Sequence, residues 1–114
     1  MSEAFQAAVR WQSGRATLDL SGDIDAFAEQ SLQSAYDEAE RRSPQLIVLN
    51  FSAARYINST GIALIVGLLA RARKSHTRLA AYGLSDHYVE IFQITRLADF
   101  MPVYPDEAGA SAAS

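Results

Sequence analysis

No cysteine occurs in the sequence. Disulfides, cysteine–zinc sites and thiol catalysis are therefore excluded, and the composition is compatible with a reducing compartment. Histidine is nearly as scarce, with two residues, His76 and His87. Two imidazoles far apart give no metal signature. Positive charge is not in excess, because the formal net charge is -3. A weakly acidic chain gains little from a phosphate backbone, so nucleic acid is a poor partner. Long hydrophobic runs are also missing. The longest, Ile62 to Ala70 with Gly67 inside it, falls far short of the ~20 residues that span a bilayer. Membrane insertion is not expected. Met1 to Arg10 lacks a basic segment followed by an apolar core, so no secretion signal is expected either.

What is present suits one globular domain. Hydrophobic residues make up 49% and charged residues 20% of 114 positions, enough for one modest core. No repeat or linker divides the chain. Residues 1–105 are expected to form the domain, and residues 106–114, rich in Ala, Gly and Ser, a flexible tail.

Phe5, Ala7, Val9 and Trp11 alternate, Ser13-Gly14 signals a turn, and Ala16, Leu18 and Leu20 alternate again, which predicts a hairpin. Gly22-Asp23-Ile24-Asp25 breaks that pattern. Ala28, Leu32, Ala35, Tyr36 and Ala39 form an apolar stripe on a helix predicted from Ala26 to Arg42, with Asp25 as N-cap. Leu46 to Leu49 is a continuous apolar run, as in a central strand covered on both faces. A polar loop from Asn50 to Asn58 and a second helix from Ser59 to Lys74 are expected next. Ile62, Ile65, Val66 and Leu69 form the second helix's predicted core stripe. Arg78 to Tyr82 is a strand candidate. Ser85 can cap a third helix carrying Val89 and Phe92. Leu97 and Phe100 look like further core anchors, and Met101 to Tyr104 a short edge strand. Strands thus alternate with helices after the hairpin, which predicts an α/β fold: a small mixed sheet of four to five strands with helices along one face.

Tyr56-Ile57-Asn58-Ser59-Thr60-Gly61-Ile62 is the informative segment. Its hydroxyls fall at a helix start, where backbone N–H groups lack partners and an anion is stabilised. Ser59 or Thr60 would serve equally as a simple helix cap. No base–acid pair accompanies Ser59: His76 lies roughly 25 Å along the same helix, and His87 is expected at the surface. Neither a nucleophile elbow nor a Walker-type loop is present. Glu29, Asp37, Glu38 and Glu40 read as a solvated helix face. No enzymatic activity and no cofactor are expected.

From Phe5 to Tyr104 the chain resembles the STAS domain of bacterial anti-sigma factor antagonists. Gly22 to Asp25, Ile47-Val48-Leu49-Asn50 and Tyr56 to Ile62 carry the likeness. The last segment is the most specific, resembling the family's Asp-Ser-Ser/Thr-Gly phosphorylation motif. The resemblance implies a SpoIIAA-like fold and a cytoplasmic partner-switching regulator. By that likeness, an anti-sigma factor that is also a serine kinase would phosphorylate Ser59, and a PP2C-type phosphatase would reset the switch. Unmodified protein captures the anti-sigma factor; phosphorylated protein releases it. Asp23, Asp25, Asn58, Thr60, Gly61, Ala63, Leu64, Gly67 and Arg71 are the partner-binding candidates. Two positions depart from the family: its usual Asp is Asn58 here, and Arg96 stands where glycine is frequent. A STAS subunit of a transport complex or stress scaffold, with Ser59 structural, is the alternative. A nucleotide-binding module is a third reading, with no dedicated loop to support it.

Overall fold

The computed structural model describes residues 4–112. Two short strands open it, β1 (Gln6–Gln12) and β2 (Arg15–Ile24), joined at Ser13 and Gly14. Both turn residues have positive φ, 49° and 77°, the geometry a two-residue hairpin loop requires. A 3-10 turn (Ala26–Ala28) leads into α1 (Glu29–Glu40), followed by β3 (Leu46–Ile57) and α2 (Ser59–Lys74). Then come β4 (Arg78–Tyr82), α3 (Asp86–Ile94), a 3-10 turn (Leu97–Asp99), β5 (Val103–Tyr104) and α4 (Glu107–Ser111). The five strands lie in sequence order across one mixed sheet. Only the β1–β2 pair is antiparallel, because each later pair is joined by a crossover that includes a helix or helical turn.

The period-2 pattern sorts the sheet into two faces. Leu18, Leu20, Ile47, Leu49, Phe51 and Ala81 meet α1, α2 and α3 through Leu32, Tyr36, Leu68 and Phe92. All five members of the α1 stripe are buried as read from the sequence. The opposite face carries Leu46, Val48, Ala80 and Tyr82, packed against Ala110 of α4. Both faces of the Leu46–Leu49 run are thus covered, as its composition predicted.

That second cover corrects the reading of residues 106–114 as a flexible tail; residues 113 and 114 lie outside the described residues. Ala110 is fully buried, and Asp106 caps α4 by accepting the Gly109 N–H at 2.9 Å. Glu107 binds Arg10 at 3.1 Å and accepts from the Tyr82 hydroxyl at 3.0 Å. A small alanine suffices here because it drops onto an already apolar sheet face.

The Gly22-to-Asp25 break and the Asn50-to-Asn58 loop are also corrected. Both segments are strand: β2 continues to Ile24 and β3 to Ile57, paired as far as Ile24↔Ile57. Irregular register after Asp19 and Gly22 accommodates Gly22 at φ 84°. β4 stops pairing at Asn50↔Tyr82, so the β2–β3 ribbon projects past it. Polar residues are tolerated there because much of the ribbon faces solvent, which made it read as a loop. Two smaller differences concern the third helix region. Ser85 occupies the cap position without a side-chain bond. Phe100 is 53% exposed, while Met101 fills the core instead.

Candidate functional site

The projecting β2–β3 ribbon delivers the chain to the start of α2. Asn58 N–H donates to the Ile24 carbonyl at 3.2 Å, and Ile57 N–H donates to the Tyr88 hydroxyl at 2.9 Å. α3 therefore fixes the same junction from the other side. Asn58 then caps α2: its side-chain oxygen accepts the Gly61 N–H, and its backbone carbonyl accepts the Ile62 N–H, both at 2.9 Å. An amide oxygen caps as well as a carboxylate, so replacing the family's usual acid costs the helix no hydrogen bond.

With Asn58 as cap, the alternative of Ser59 or Thr60 capping the helix does not hold. Ser59 is exposed in the first turn, and its hydroxyl has no hydrogen-bond partner among the described residues. Thr60 and Ala63 are exposed beside it. Gly61 faces inward. A Cβ there would lie 2.0 Å from the Ile24 carbonyl oxygen, so glycine is what lets α2 start against the end of β2. Its role is this backbone approach.

Asp23 pairs in register with Tyr56, and the Asp25 carboxylate caps the following turn by accepting the Phe27 N–H at 3.0 Å. Phe27, whose N–H that cap fixes, is 93% exposed. Tyr56 is also exposed, as is Val66 on α2. None of these three was read from the sequence as a surface contact. An exposed aromatic between Asp25 and the α1 stripe was the available signal for Phe27.

The inward face of α2 is Gly61, Ile65, Leu68, Leu69 and Ala72, one residue back from the stripe expected from periodicity. Ile62 is half-buried and Val66 exposed, so the outward line is Ser59, Ala63, Val66 and Ala70. Of the other partner-binding candidates on α2, Leu64 packs half-buried against the core, and Gly67 is half-buried with open space above it. Arg71 turns toward α1, binding Asp37 and Glu40 at 2.8 Å and Gln33 at 2.9 Å. Its guanidinium stacks 4.5 Å over the Tyr36 ring. Burial pushes the Tyr36 phenol up to about 12, helped by Glu40 and opposed by Arg71; its hydroxyl finds no partner. Arg71 is thus a staple between helices and stands apart from the Ser59 cluster.

Among the described residues, no group of His, Asp and Glu could hold a metal ion, and no helix is long and apolar enough to cross a membrane. His76 and His87 are both exposed, as expected for His87, and neither bonds Ser59.

The STAS domain family model matches residues 6–110. The chain belongs to the STAS domain family. The match ends inside α4, so the STAS domain here includes most of the segment expected to be a tail. Over 84 residues, 74% of each chain, the domain is 26% identical to a Listeria monocytogenes protein named anti-sigma-B factor antagonist. A Staphylococcus aureus protein of the same name is 29% identical over 84 residues, 74% of this chain and 78% of its own. An anti-sigma factor antagonist from Mycobacterium paratuberculosis superposes with a TM-score of 0.83 at 21% identity, over 96% of this chain and 93% of that one. Bacillus SpoIIAA in its phosphorylated form gives 0.71 at 20% identity, over 97% and 100%. These superpositions establish a shared SpoIIAA-like α/β fold.

Proposed function

We propose that this STAS domain is an anti-sigma factor antagonist working by partner switching, with Ser59 as its phosphorylation site. The observation that carries the reading is the exposed, unpartnered Ser59 hydroxyl in the first turn of α2. Asn58 does the capping and leaves that oxygen available to an approaching kinase. The names borne by the relatives supply the partner class, an anti-sigma factor.

In the transfer step, the Ser59 oxygen attacks the γ-phosphorus of ATP. The new O–P bond forms as the bond to ADP breaks, and the hydroxyl proton leaves to a base of the kinase. The product is a phosphoserine of about -1.5 to -2 charge. Asp23 near the end of β2 and Asp25 just after it flank Ile24, whose carbonyl accepts the Asn58 N–H. The docking surface is the exposed line Ser59, Ala63 and Val66, flanked by Phe27, Tyr56 and Thr60. A unit negative charge placed about 5 Å from a carboxylate of the docked partner costs about 3 kcal/mol at an effective dielectric near 20. That exceeds a hundredfold in affinity, so release needs no refolding. A PP2C-type phosphatase resets the switch in this scheme, which operates in the cytoplasm and gives the domain no enzymatic role of its own.

The test pairs the protein with its cognate anti-sigma kinase and ATP, and measures intact mass. One phosphoryl group is expected on wild type and Thr60→Ala, and none on Ser59→Ala. Retention of the modification in Ser59→Ala, or unchanged mass throughout alongside tight binding, overturns the assignment of Ser59.

A further inference from the structure

At the far end of α2 a cavity of about 430 Å³ opens between that helix, the starts of β3 and β4, and the turn before β5. Its size lies in the range of small-molecule sites, about 300–1,000 Å³. Leu46, Leu69, Ala72 and Leu79 form an apolar floor. Phe100 stands at the rim, 53% exposed although an aromatic of its size would ordinarily be buried. The Arg73 guanidinium sits 5.0 Å over the Phe100 ring. Among the described residues that guanidinium has no carboxylate partner. Asp99, the acid in the lining, is already bound to Arg96 at 2.9 Å.

We infer that this cavity binds a small amphipathic carboxylate. The floor suits a compact apolar body of aromatic or medium-chain aliphatic type. The contact with the Phe100 ring takes up no N–H hydrogen bond of the guanidinium, and a guanidinium edge matches a carboxylate with two parallel hydrogen bonds. A neutral apolar molecule would leave the guanidinium unused. A polyphosphate would waste the apolar floor. The site is separate from the switch: Arg73 lies fourteen positions after Ser59 on α2, about 21 Å at ~1.5 Å per residue. It stands or falls independently of the Ser59 reading.

The experiment titrates the ¹⁵N-labelled full chain with 2-naphthoate, octanoate and the uncharged 2-naphthamide, following amide shifts. Saturable shifts confined to the Ala72–Leu79 and Asp99–Phe100 segments are expected for both carboxylates, with dissociation constants below about 1 mM. The amide should bind at least tenfold more weakly, and Arg73→Gln should weaken naphthoate at least tenfold with unchanged melting temperature. Absence of saturable shifts in those segments overturns the proposal. So does equal binding of naphthamide, or equal binding of naphthoate by Arg73→Gln.

Discussion

The side-chain oxygen of Asn58 accepts the Gly61 N–H at 2.9 Å, and this bond decides what Ser59 is free to do. Losing it leaves an N–H at the helix start unsatisfied. Asn58→Ala should lower unfolding free energy by about 1 kcal/mol, and Asn58→Asp should match or slightly exceed wild type, because a carboxylate also suits the helix dipole. Urea unfolding monitored by circular dichroism checks both. An equally stable Asn58→Ala protein would show the cap to be dispensable.

The glycines of α2 should respond in opposite directions. Gly61→Ala drives a methyl into the Ile24 carbonyl, a backbone atom that cannot swing aside. Destabilisation of about 3 kcal/mol or more is expected. Gly67→Ala meets nothing within 4 Å and should gain up to ~1 kcal/mol from helix propensity. Thermal melts of the two variants, measured side by side, test the orientation of the helix.

Phe27 separates binding from folding. With its ring almost wholly in solvent, Phe27→Ser should leave the melting temperature unchanged. Affinity for the cognate anti-sigma factor should fall at least tenfold, as for an aromatic anchor at an interface. Unaltered affinity by calorimetry would remove Phe27 from the docking surface.

Acid should loosen α4. The hydrogen bonds from Arg10 hold the Asp19 and Glu107 carboxyls below their ordinary values. Depressed folded values mean that the stabilisation is fully present above the unfolded values and is lost as pH falls through the folded ones. The window therefore opens below about pH 4. Both carboxylates are partly exposed, so the effect is modest. Arg10→Met should flatten stability against pH between about 5 and 2, measured by denaturation at each pH. An unchanged slope contradicts the ion-pair account.

Arg96 adopts φ 65°, in the left-handed region that glycine enters without strain. Relief of that conformation outweighs the entropy cost of glycine and the loss of the exposed Asp99 pair. Arg96→Gly should stabilise by about 0.5 kcal/mol. A lower melting temperature would mean that the ion pair dominates.

Local chemistry made much of this legible in advance. Helix α2 runs from Ser59 to Lys74 in both the sequence reading and the structure, because its start and apolar content are short-range signals. The α1 stripe follows from periodicity, and the buried Leu46–Leu49 strand from its continuous apolar run. The position of Ser59 at a helix start was equally readable. Which side chain caps that start was not, because Asn58, Ser59 and Thr60 are all capable of it.

Three features were settled only by tertiary packing. The rotation of α2 by one residue depends on Gly61 meeting Ile24 and on Arg71 meeting α1, contacts between segments far apart in the chain. The length of the β2–β3 ribbon depends on each strand having the other as partner. Docking of α4 depends on Arg10 and Glu107, 97 positions apart. A sequence specifies its short-range geometry residue by residue. Which of two plausible faces is buried is a free-energy comparison between surfaces, and those surfaces exist only once the sheet has formed.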